Sequence, residues 1–218
     1  MQTMKVSDLK IVRTGFSLNQ YFQEEHPKKQ IYLHHTAGNS NALQVFKDWE
    51  SNSVQIGTFV AIAGNGQIVQ GFSSKHWAYH LGIKSEIFSR NNLPYILLDK
   101  ISIGVEICNW GYLIERNGKF YNYVDKEIPL NEVTILDVPY KGYVAWHKYT
   151  DAQIESVRKL LIYLSETYKI DIKYKEDIWS VTKRALSGEN GLFTHNSVRK
   201  DKTDVYPCPR LIQMLKSL

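Results

Sequence analysis

Apolar residues occur along the chain in short runs whose pattern predicts strands. IYLHHTA (31–37) has the pattern of a buried strand that runs into a loop. TFVAIAGNGQIVQGF (58–72) contains two apolar runs around an Asn-Gly pair, which is typical of a β-hairpin. A third strand is predicted over ISIGVEICN (101–109).

Other segments have a helical spacing of apolar residues. ALQVFKDWE (42–50) predicts a short helix. Thr150 and Gln153 form a capping-box pattern at the start of a longer helix. The apolar residues that recur at helical spacing behind this cap are Ile154, Val157, Leu160, Leu161, Leu164 and Tyr168. Further helices are predicted over 176–187 and 209–217.

The middle and the end of the chain show weaker patterns. LIERNGKFY (113–121) predicts a second hairpin that turns at Asn117-Gly118. The segment 122–149 is rich in Tyr, Val and Pro and is interpreted as irregular, and residues 191–210 as the end of a strand followed by a long polar loop. Strands interspersed with helices predict an α/β fold, a single domain with a central mixed β-sheet flanked by helices.

Composition narrows the class of protein. With 218 residues, 43% of them hydrophobic, the chain is long enough to bury a core without a disulfide framework, so Cys108 and Cys208 are interpreted as free thiols. The net charge of +5 suits a polyanionic partner, such as bacterial wall polymer, nucleic acid or an anionic membrane. No basic run is interleaved with aromatic residues, which disfavours nucleic acid. No segment has the pattern of a signal peptide or a membrane span, so we expect a protein made in a cytoplasm and not inserted in a membrane.

Two histidines end the first predicted strand, and a third opens the C-terminal polar loop. They are His34, His35 and His195, and the same loop contains Asp204. Two imidazoles and one carboxylate are a common ligand set for catalytic zinc, because three protein ligands leave a fourth position for water. Neighbours in a strand point to opposite faces, so His34 and His35 cannot both contact one ion. The pattern alone does not choose between them, and it leaves open that each histidine is an ordinary core or surface residue.

One carboxylate stands in an apolar strand. Glu106 lies on the face opposite to that of Ile103, Val105 and Ile107. An isolated glutamate in such a strand is commonly an edge or surface residue. Beside a metal ion, the same carboxylate would suit a general base.

Five segments together resemble a known family. IYLHHTAG, TFVAIAGNGQIVQ, HWAYHLG, SIGVEI and THNSVRKDKTD follow in order the pattern of type 2 N-acetylmuramoyl-L-alanine amidases, a superfamily that includes phage lysozymes and peptidoglycan recognition proteins. Each segment is short, but five in the correct order over about residues 30–210 are specific. The resemblance implies a hydrolase that cleaves the amide bond between N-acetylmuramic acid and L-alanine of peptidoglycan.

The resemblance also implies residue roles. The first histidine of the HHT segment matches a ligand of zinc (Zn2+), which selects His34, and His195 and Asp204 match the other two ligands. Some members have Cys where this chain has Asp204. Lys202 and Glu106 match catalytic residues, and the implied mechanism has Glu106 accept a proton from a zinc-activated water while Lys202 stabilises the oxyanion.

Two positions of the implied substrate groove depart from the family pattern. His80 matches a histidine in a block usually written WHAG, which here reads AYHLG. The phage lysozyme branch has a catalytic tyrosine before the second strand, and Thr58 stands there, which favours Glu106 as the acid–base group. Both residues are assigned to substrate binding. The aromatic residues in and beside the 111–149 segment, either groove-lining or packed in the core, are Trp110, Tyr112, Tyr121 and Trp146.

The implied organisation is a lead-in segment over 1–29 and a zinc amidase domain over 30–218, with an insertion at about 111–149. We expect a monomer whose partner is bacterial peptidoglycan, and which acts on the cell wall after release as a phage endolysin or delivery as a lytic effector. Two alternatives remain open: a non-catalytic peptidoglycan-binding module and a cytoplasmic amidase that recycles muropeptides. Nothing in the sequence points to a partner protein.

Overall fold

Two β-sheets form the framework of the protein in the computed structural model, which describes residues 9–38, 40–51 and 54–218. The first five strands belong to the first sheet, and they are β1 (Ile11–Arg13), β2 (Gln30–His35), β3 (Val60–Ile62), β4 (Ile68–Gln70) and β5 (Ser102–Ile107). The next five form the second sheet, and they are β6 (Tyr112–Arg116), β7 (Lys119–Tyr121), β8 (Glu127–Ile128), β9 (Val133–Tyr140) and β10 (Tyr143–His147). The last strand, β11 (Gly191–Thr194), returns to the first sheet.

The first sheet is mixed and has the strand order β1-β4-β3-β5-β2-β11. Strands β3, β5, β2 and β11 run parallel to one another, and β4 is antiparallel to β3. All residues of β2 and β5 are buried, as expected for parallel strands covered on both faces. The mixed α/β fold, the three strands and the first hairpin are therefore confirmed.

Among the described residues, six α-helices accompany the sheets. They are α1 (Ala42–Glu50), α2 (Ser85–Arg90), α3 (Leu98–Ile101), α4 (Asp151–Tyr168), α5 (Lys183–Leu186) and α6 (Pro209–Lys216). The predicted capping box of α4 is present: Thr150 accepts a hydrogen bond from the backbone N–H of Gln153, whose side chain accepts one from the backbone of Thr150. The helices predicted over 42–50 and 209–217 are confirmed as α1 and α6.

The single helix predicted over 176–187 is wrong. A 3-10 helix at Glu176–Trp179 and the short α5 are separated by extended backbone at Ser180 and Thr182. The backbone N–H of Thr182 donates to the carbonyl oxygen of Ser197 at 3.0 Å, in the loop that follows β11. This tertiary hydrogen bond replaces one that a continuous helix would have made.

The irregular segment predicted over 122–149 is also wrong, because it contributes three strands of the antiparallel sheet β8-β7-β6-β10-β9. The predicted hairpin at Asn117-Gly118 is confirmed, and a second one turns at Lys141-Gly142, where both residues have positive φ. The Tyr and Val residues of the 122–149 segment favour strands. Pro139 is tolerated because β9 is an edge strand.

Residues before position 30 contribute to the first sheet. Strand β1 pairs with β4, and Phe16 is buried in the main core. The boundary between a lead-in over 1–29 and a domain over 30–218 stays a prediction. Cys108 and Cys208 are buried free thiols, as predicted. Within the described residues, no helix has both the length and the apolar character needed to cross a membrane.

Candidate active site

The carboxyl ends of three parallel strands bring the candidate residues together. In the register of β2 and β5, His34 lies directly opposite Glu106, so both side chains leave the sheet on the same face. Strand β11 pairs with β2 on its other side and ends at Thr194, one residue before His195. Residues separated by more than 150 positions therefore meet at one edge of the sheet.

His34, His195 and Asp204 form a compact cluster of three possible ligand atoms. The Nδ1 atoms of His34 and His195 are 3.1 Å apart, and each lies 3.2 Å and 3.0 Å, respectively, from Oδ2 of Asp204. A tetrahedral zinc ion with bonds of about 2.0–2.2 Å separates its ligand atoms by about 3.3–3.6 Å. The cluster matches that spacing closely, and both histidines are nearly inaccessible to solvent.

The chemistry of these donors also fits a cation. Nε2 of His195 donates to the carbonyl oxygen of Leu81 at 2.9 Å, which leaves the lone pair of Nδ1 facing the cluster. Burial, together with the charge on His195, lowers the pKa of His34 to about 4, so its ring is neutral at neutral pH. Burial opposes ionisation of Asp204, but its polar and charge interactions with His195 and His34 outweigh burial and hold the pKa of that carboxyl well below its usual range.

His35 lies on the other face of β2. Its Nδ1 is 3.0 Å from the hydroxyl of Tyr149, and its ring lies against Trp146. Strand alternation thus separates the two neighbouring histidines as expected. The cluster of possible ligand atoms contains His34, and His35 belongs to the packing between β2 and the segment before α4.

His80 stands behind His34. Its Nδ1 is 3.0 Å from Nε2 of His34, and its Nε2 is 2.8 Å from the hydroxyl oxygen of Ser102. The absence of a side chain at Gly104 makes room for this ring, since a Cβ there would lie 3.0 Å from Nδ1 of His80 and 2.7 Å from Cγ2 of Thr58. His80 therefore orients His34 in addition to lining the cavity, a role that the sequence pattern did not reveal.

Glu106 is buried beside the cluster and lines the same cavity. Burial, reinforced by the negative charge of Asp204, raises the pKa of Glu106 well above its usual range, while Lys202 opposes the rise. A carboxyl group at this position can accept a proton during a reaction and return it.

These residues line a cavity of about 610 Å³ that is open to solvent. Lys202 and Thr58 are also in its wall, so all seven residues singled out from the sequence contribute to it. The hydroxyl of Thr58 donates to the carbonyl oxygen of Val60 at 2.8 Å, so its proton is used in a backbone contact. Helix α1 adds Gln44, Asp48 and Trp49 to the opposite wall, which the sequence did not predict.

Only part of the aromatic set lies in this cavity. Trp110 lines it. Trp146 is fully buried against Tyr206, Tyr112 stacks on Tyr143, and Tyr121 is covered by Arg116, so these three serve packing. Tyr123 lines the cavity instead. The second sheet, which the sequence analysis did not predict as a whole, places Tyr123 at this wall.

The sequence and the fold of this chain are similar to those of known proteins. Residues 24–209 match the model of a family described as N-acetylmuramoyl-L-alanine amidase. No curated protein matches the sequence.

Three solved structures show the same fold at low identity. PlyL is 16% identical with a TM-score of 0.54, over 94% of this chain and 96% of its own. A mutant endolysin from Bacillus subtilis is 13% identical with a TM-score of 0.53, over 95% and 96%. The N-acetylmuramyl-L-alanine amidase AmiD from E. coli, in complex with the substrate anhydro-N-acetylmuramic acid-L-Ala-D-γ-Glu-L-Lys, is 18% identical with a TM-score of 0.50, over 88% of this chain and 59% of AmiD.

Proposed function

Because the chain belongs to the N-acetylmuramoyl-L-alanine amidase family, and is an amide hydrolase of that class, we propose that it is a zinc-dependent enzyme that strips stem peptides from peptidoglycan of the bacterial cell wall. The observation that carries this proposal is the convergence of Nδ1 of His34, Nδ1 of His195 and Oδ2 of Asp204 within 4.8 Å of one another. A zinc ion held there would supply Lewis acidity that activates water and polarises a carbonyl group.

Glu106 is the proposed proton carrier. One of its carboxylate oxygens accepts a proton from the attacking water, whose oxygen forms a bond to the lactyl carbonyl carbon of N-acetylmuramic acid. Glu106 then delivers that proton to the nitrogen of L-alanine as the C–N bond breaks. The products are a free lactyl carboxyl group and a stem peptide with a free amino terminus, so one water is consumed.

Lys202 and the second layer of residues support this step. The ammonium group of Lys202, in the cavity wall, is proposed to stabilise the negative charge that develops on the carbonyl oxygen. His80 holds the ring of His34, and the carbonyl of Leu81 holds that of His195. Thr58 and His80 are proposed to contact the substrate from the floor of the cavity.

A lytic role at the wall is the proposed biological setting, as a phage endolysin or a delivered effector. The net charge of +5 favours adsorption to an anionic wall, and the likeness of fold to a Bacillus subtilis endolysin is consistent with it. The substrate printed for AmiD, a muramoyl peptide, is the substrate class proposed here. The preserved ligand cluster argues against a module that only binds peptidoglycan.

Digestion of purified sacculi, with the products identified by mass, tests the proposal. We expect stem peptides that begin with L-alanine, and loss of their release in the presence of a chelator and in His195→Ala. A soluble anhydro-muropeptide, assayed in parallel, separates wall lysis from recycling: preference for the soluble substrate over sacculi would contradict the lytic setting. Cleavage inside the peptide or between sugars would contradict the proposed reaction itself.

A further inference from the structure

Lys202, the proposed oxyanion group, and Asp204, a candidate ligand, belong to one loop over residues 199–204, which we call the catalytic loop. This loop lies outside any helix or strand. Its start is anchored by a hydrogen bond of 3.1 Å from the backbone N–H of Arg199 to the carbonyl oxygen of His195. Its end is held by Asp204, whose Oδ2 is 3.0 Å from Nδ1 of His195. The stretch between these two anchors carries Lys202, so the position of its ammonium group depends on what supports that stretch.

The second sheet reaches this stretch at the tip of its β9–β10 hairpin. Nζ of Lys141 donates to the carbonyl oxygen of Lys200 at 2.7 Å. Within the part of the chain that the structure describes, this is the one hydrogen bond that joins residues 200–203 to a residue outside the catalytic loop. The contact comes from the segment 111–149, and the proposed reaction does not use this hairpin.

The tip of the hairpin is built as a firm support. Lys141 and Gly142 both have positive φ, 54° and 87°, as in the tight turns that match the twist of two paired strands. Behind the turn, the hydroxyl of Tyr140 donates to the carbonyl oxygen of Trp179 at 2.8 Å. Trp146 of β10 is fully buried in the main core. The side chain of Lys141 therefore extends from a backbone that is tied to the core through both strands.

The charges around Lys141 agree with this contact. Burial lowers the pKa of Lys141, and the carboxylates of Asp201 and Asp204 act in the opposite direction, while the charge of Lys200 adds to the lowering. Asp201 also pairs with Arg199 inside the loop. The ammonium group of Lys141 thus attracts the catalytic loop by charge in addition to its hydrogen bond.

We propose that Lys141 is a positioning residue, which orders the catalytic loop through the carbonyl oxygen of Lys200 and so places the ammonium group of Lys202 at the cavity wall. This inference rests on the role proposed for Lys202 in the amidase reaction. Lys202 is proposed to stabilise charge that develops only in the transition state. The support given by Lys141 is therefore expected to affect kcat and to leave KM unchanged.

Backbone order in the protein as purified tests the contact directly, by NMR relaxation. Lys141→Met keeps the length of the side chain and removes the donor and the charge. We expect amide order parameters at residues 200–203 of about 0.85 in the parent, the value for rigid backbone, and under about 0.6 in this variant. Lys141→Arg retains a donor and should restore them. Lys126→Met, which removes an exposed lysine of the β7–β8 connection that does not line the catalytic cavity, should change none of them.

Kinetics on a muramoyl peptide show whether this order matters for the reaction. In Lys141→Met we expect kcat to fall about three- to tenfold, the range for one hydrogen bond, with KM and zinc content unchanged. Lys141→Arg should recover most of the loss. In a Lys202→Met background, the same substitution of Lys141 is expected to have no further effect, because a residue that acts through Lys202 then has nothing to position.

Unchanged order parameters at residues 200–203 in Lys141→Met would overturn the inference and leave the amidase proposal intact. An equal loss of kcat in the presence and in the absence of Lys202 would do the same, since it would make Lys141 a general structural residue. If the parent cleaves no muramoyl peptide, the proposed function fails. The order parameters alone then decide whether Lys141 orders the catalytic loop.

Discussion

Single residues at the carboxyl end of β2 differ sharply in their surroundings although they are neighbours in the chain. His34 faces His195 and Asp204, and His35 faces Tyr149. We expect His34→Ala to abolish both zinc binding and activity. His35→Ala is expected to keep zinc and a measurable fraction of activity, and to lower the free energy of unfolding, since the buried hydroxyl of Tyr149 loses a partner worth about 1–3 kcal/mol.

Zinc content by elemental analysis, and activity measured below the melting temperature of both variants, check this pair. The reverse result, with zinc lost from the His35 variant and kept in the His34 variant, would move the metal site to the other face of the strand.

Burial of the site most directly affects the acid–base chemistry of Glu106. Glu106→Gln preserves the shape of the side chain and removes the proton acceptor, so we expect kcat to fall about 10²–10⁴-fold, the usual contribution of general acid–base catalysis. Zinc content is expected to stay the same. Near-normal turnover in this variant would reduce Glu106 to a structural residue and direct the search for the base to Lys202 or His80.

His80 is expected to act through His34. His80→Ala leaves Nε2 of His34 without its partner at 3.0 Å, and the loss of such an outer partner typically weakens metal binding about 10–100-fold. Competition with a chelating dye measures this affinity. His80→Gln, which can still hydrogen bond to His34, should recover part of it. Unchanged zinc affinity in both variants, with a raised KM, would make His80 a substrate contact alone.

At the scale of elements, the start of α4 is tied to the turn of the first hairpin. Thr150 caps the helix through the backbone N–H of Gln153, and its hydroxyl donates to the carbonyl oxygen of Gly64 at 2.7 Å. The helix also packs on the hairpin turn, since a Cβ at Gly66 would lie 2.7 Å from the carbonyl oxygen of Ala152. This contact explains why the turn needs glycine.

Thr150→Ala removes the cap and the bond to the hairpin. We expect a loss of about 1 kcal/mol in the free energy of unfolding, the typical value for an N-cap, measured by urea denaturation. Thr150→Ser keeps the hydroxyl and serves as the matched control. Equal stability of the alanine variant and the parent would show that the neighbouring packing, not the cap, fixes this end of the helix.

For the whole molecule, the candidate metal site joins segments that are distant in the chain. His34 precedes most of the fold and His195 follows it, so an ion bound to both stabilises only the folded state. We expect about one zinc per chain, and a lower melting temperature after chelation. At free zinc 100 times the dissociation constant, the stabilisation amounts to about 2.7 kcal/mol.

Calorimetry with and without chelator measures this effect, and His195→Ala is the control that should no longer respond. An unchanged melting temperature of the parent protein after chelation would contradict the assignment of the ligands. Zinc binding by the variant as tight as that of the parent would contradict it as well.

The sequence by itself determined those elements that depend only on residues close together in the chain. The capping box of α4, the Asn-Gly turns and the largely apolar strands β2 and β5 depend on neighbours in the chain, and they formed where predicted. Strand alternation separated His34 from His35 for the same reason. The resemblance of five motifs in order implied the choice of His34 and the roles of Glu106 and Lys202. A separation of more than 150 residues along the chain does not determine how far apart two side chains lie in the folded protein.

Only the tertiary structure decided the features that depend on distant partners. A hydrogen bond from Thr182 to Ser197 interrupts the helix predicted there, and pairing between strands turns residues 122–149 into a sheet. The placement of His80 behind His34 requires the space left by Gly104, which belongs to another strand. Such contacts are set by packing between segments, and a single segment does not encode its own partner.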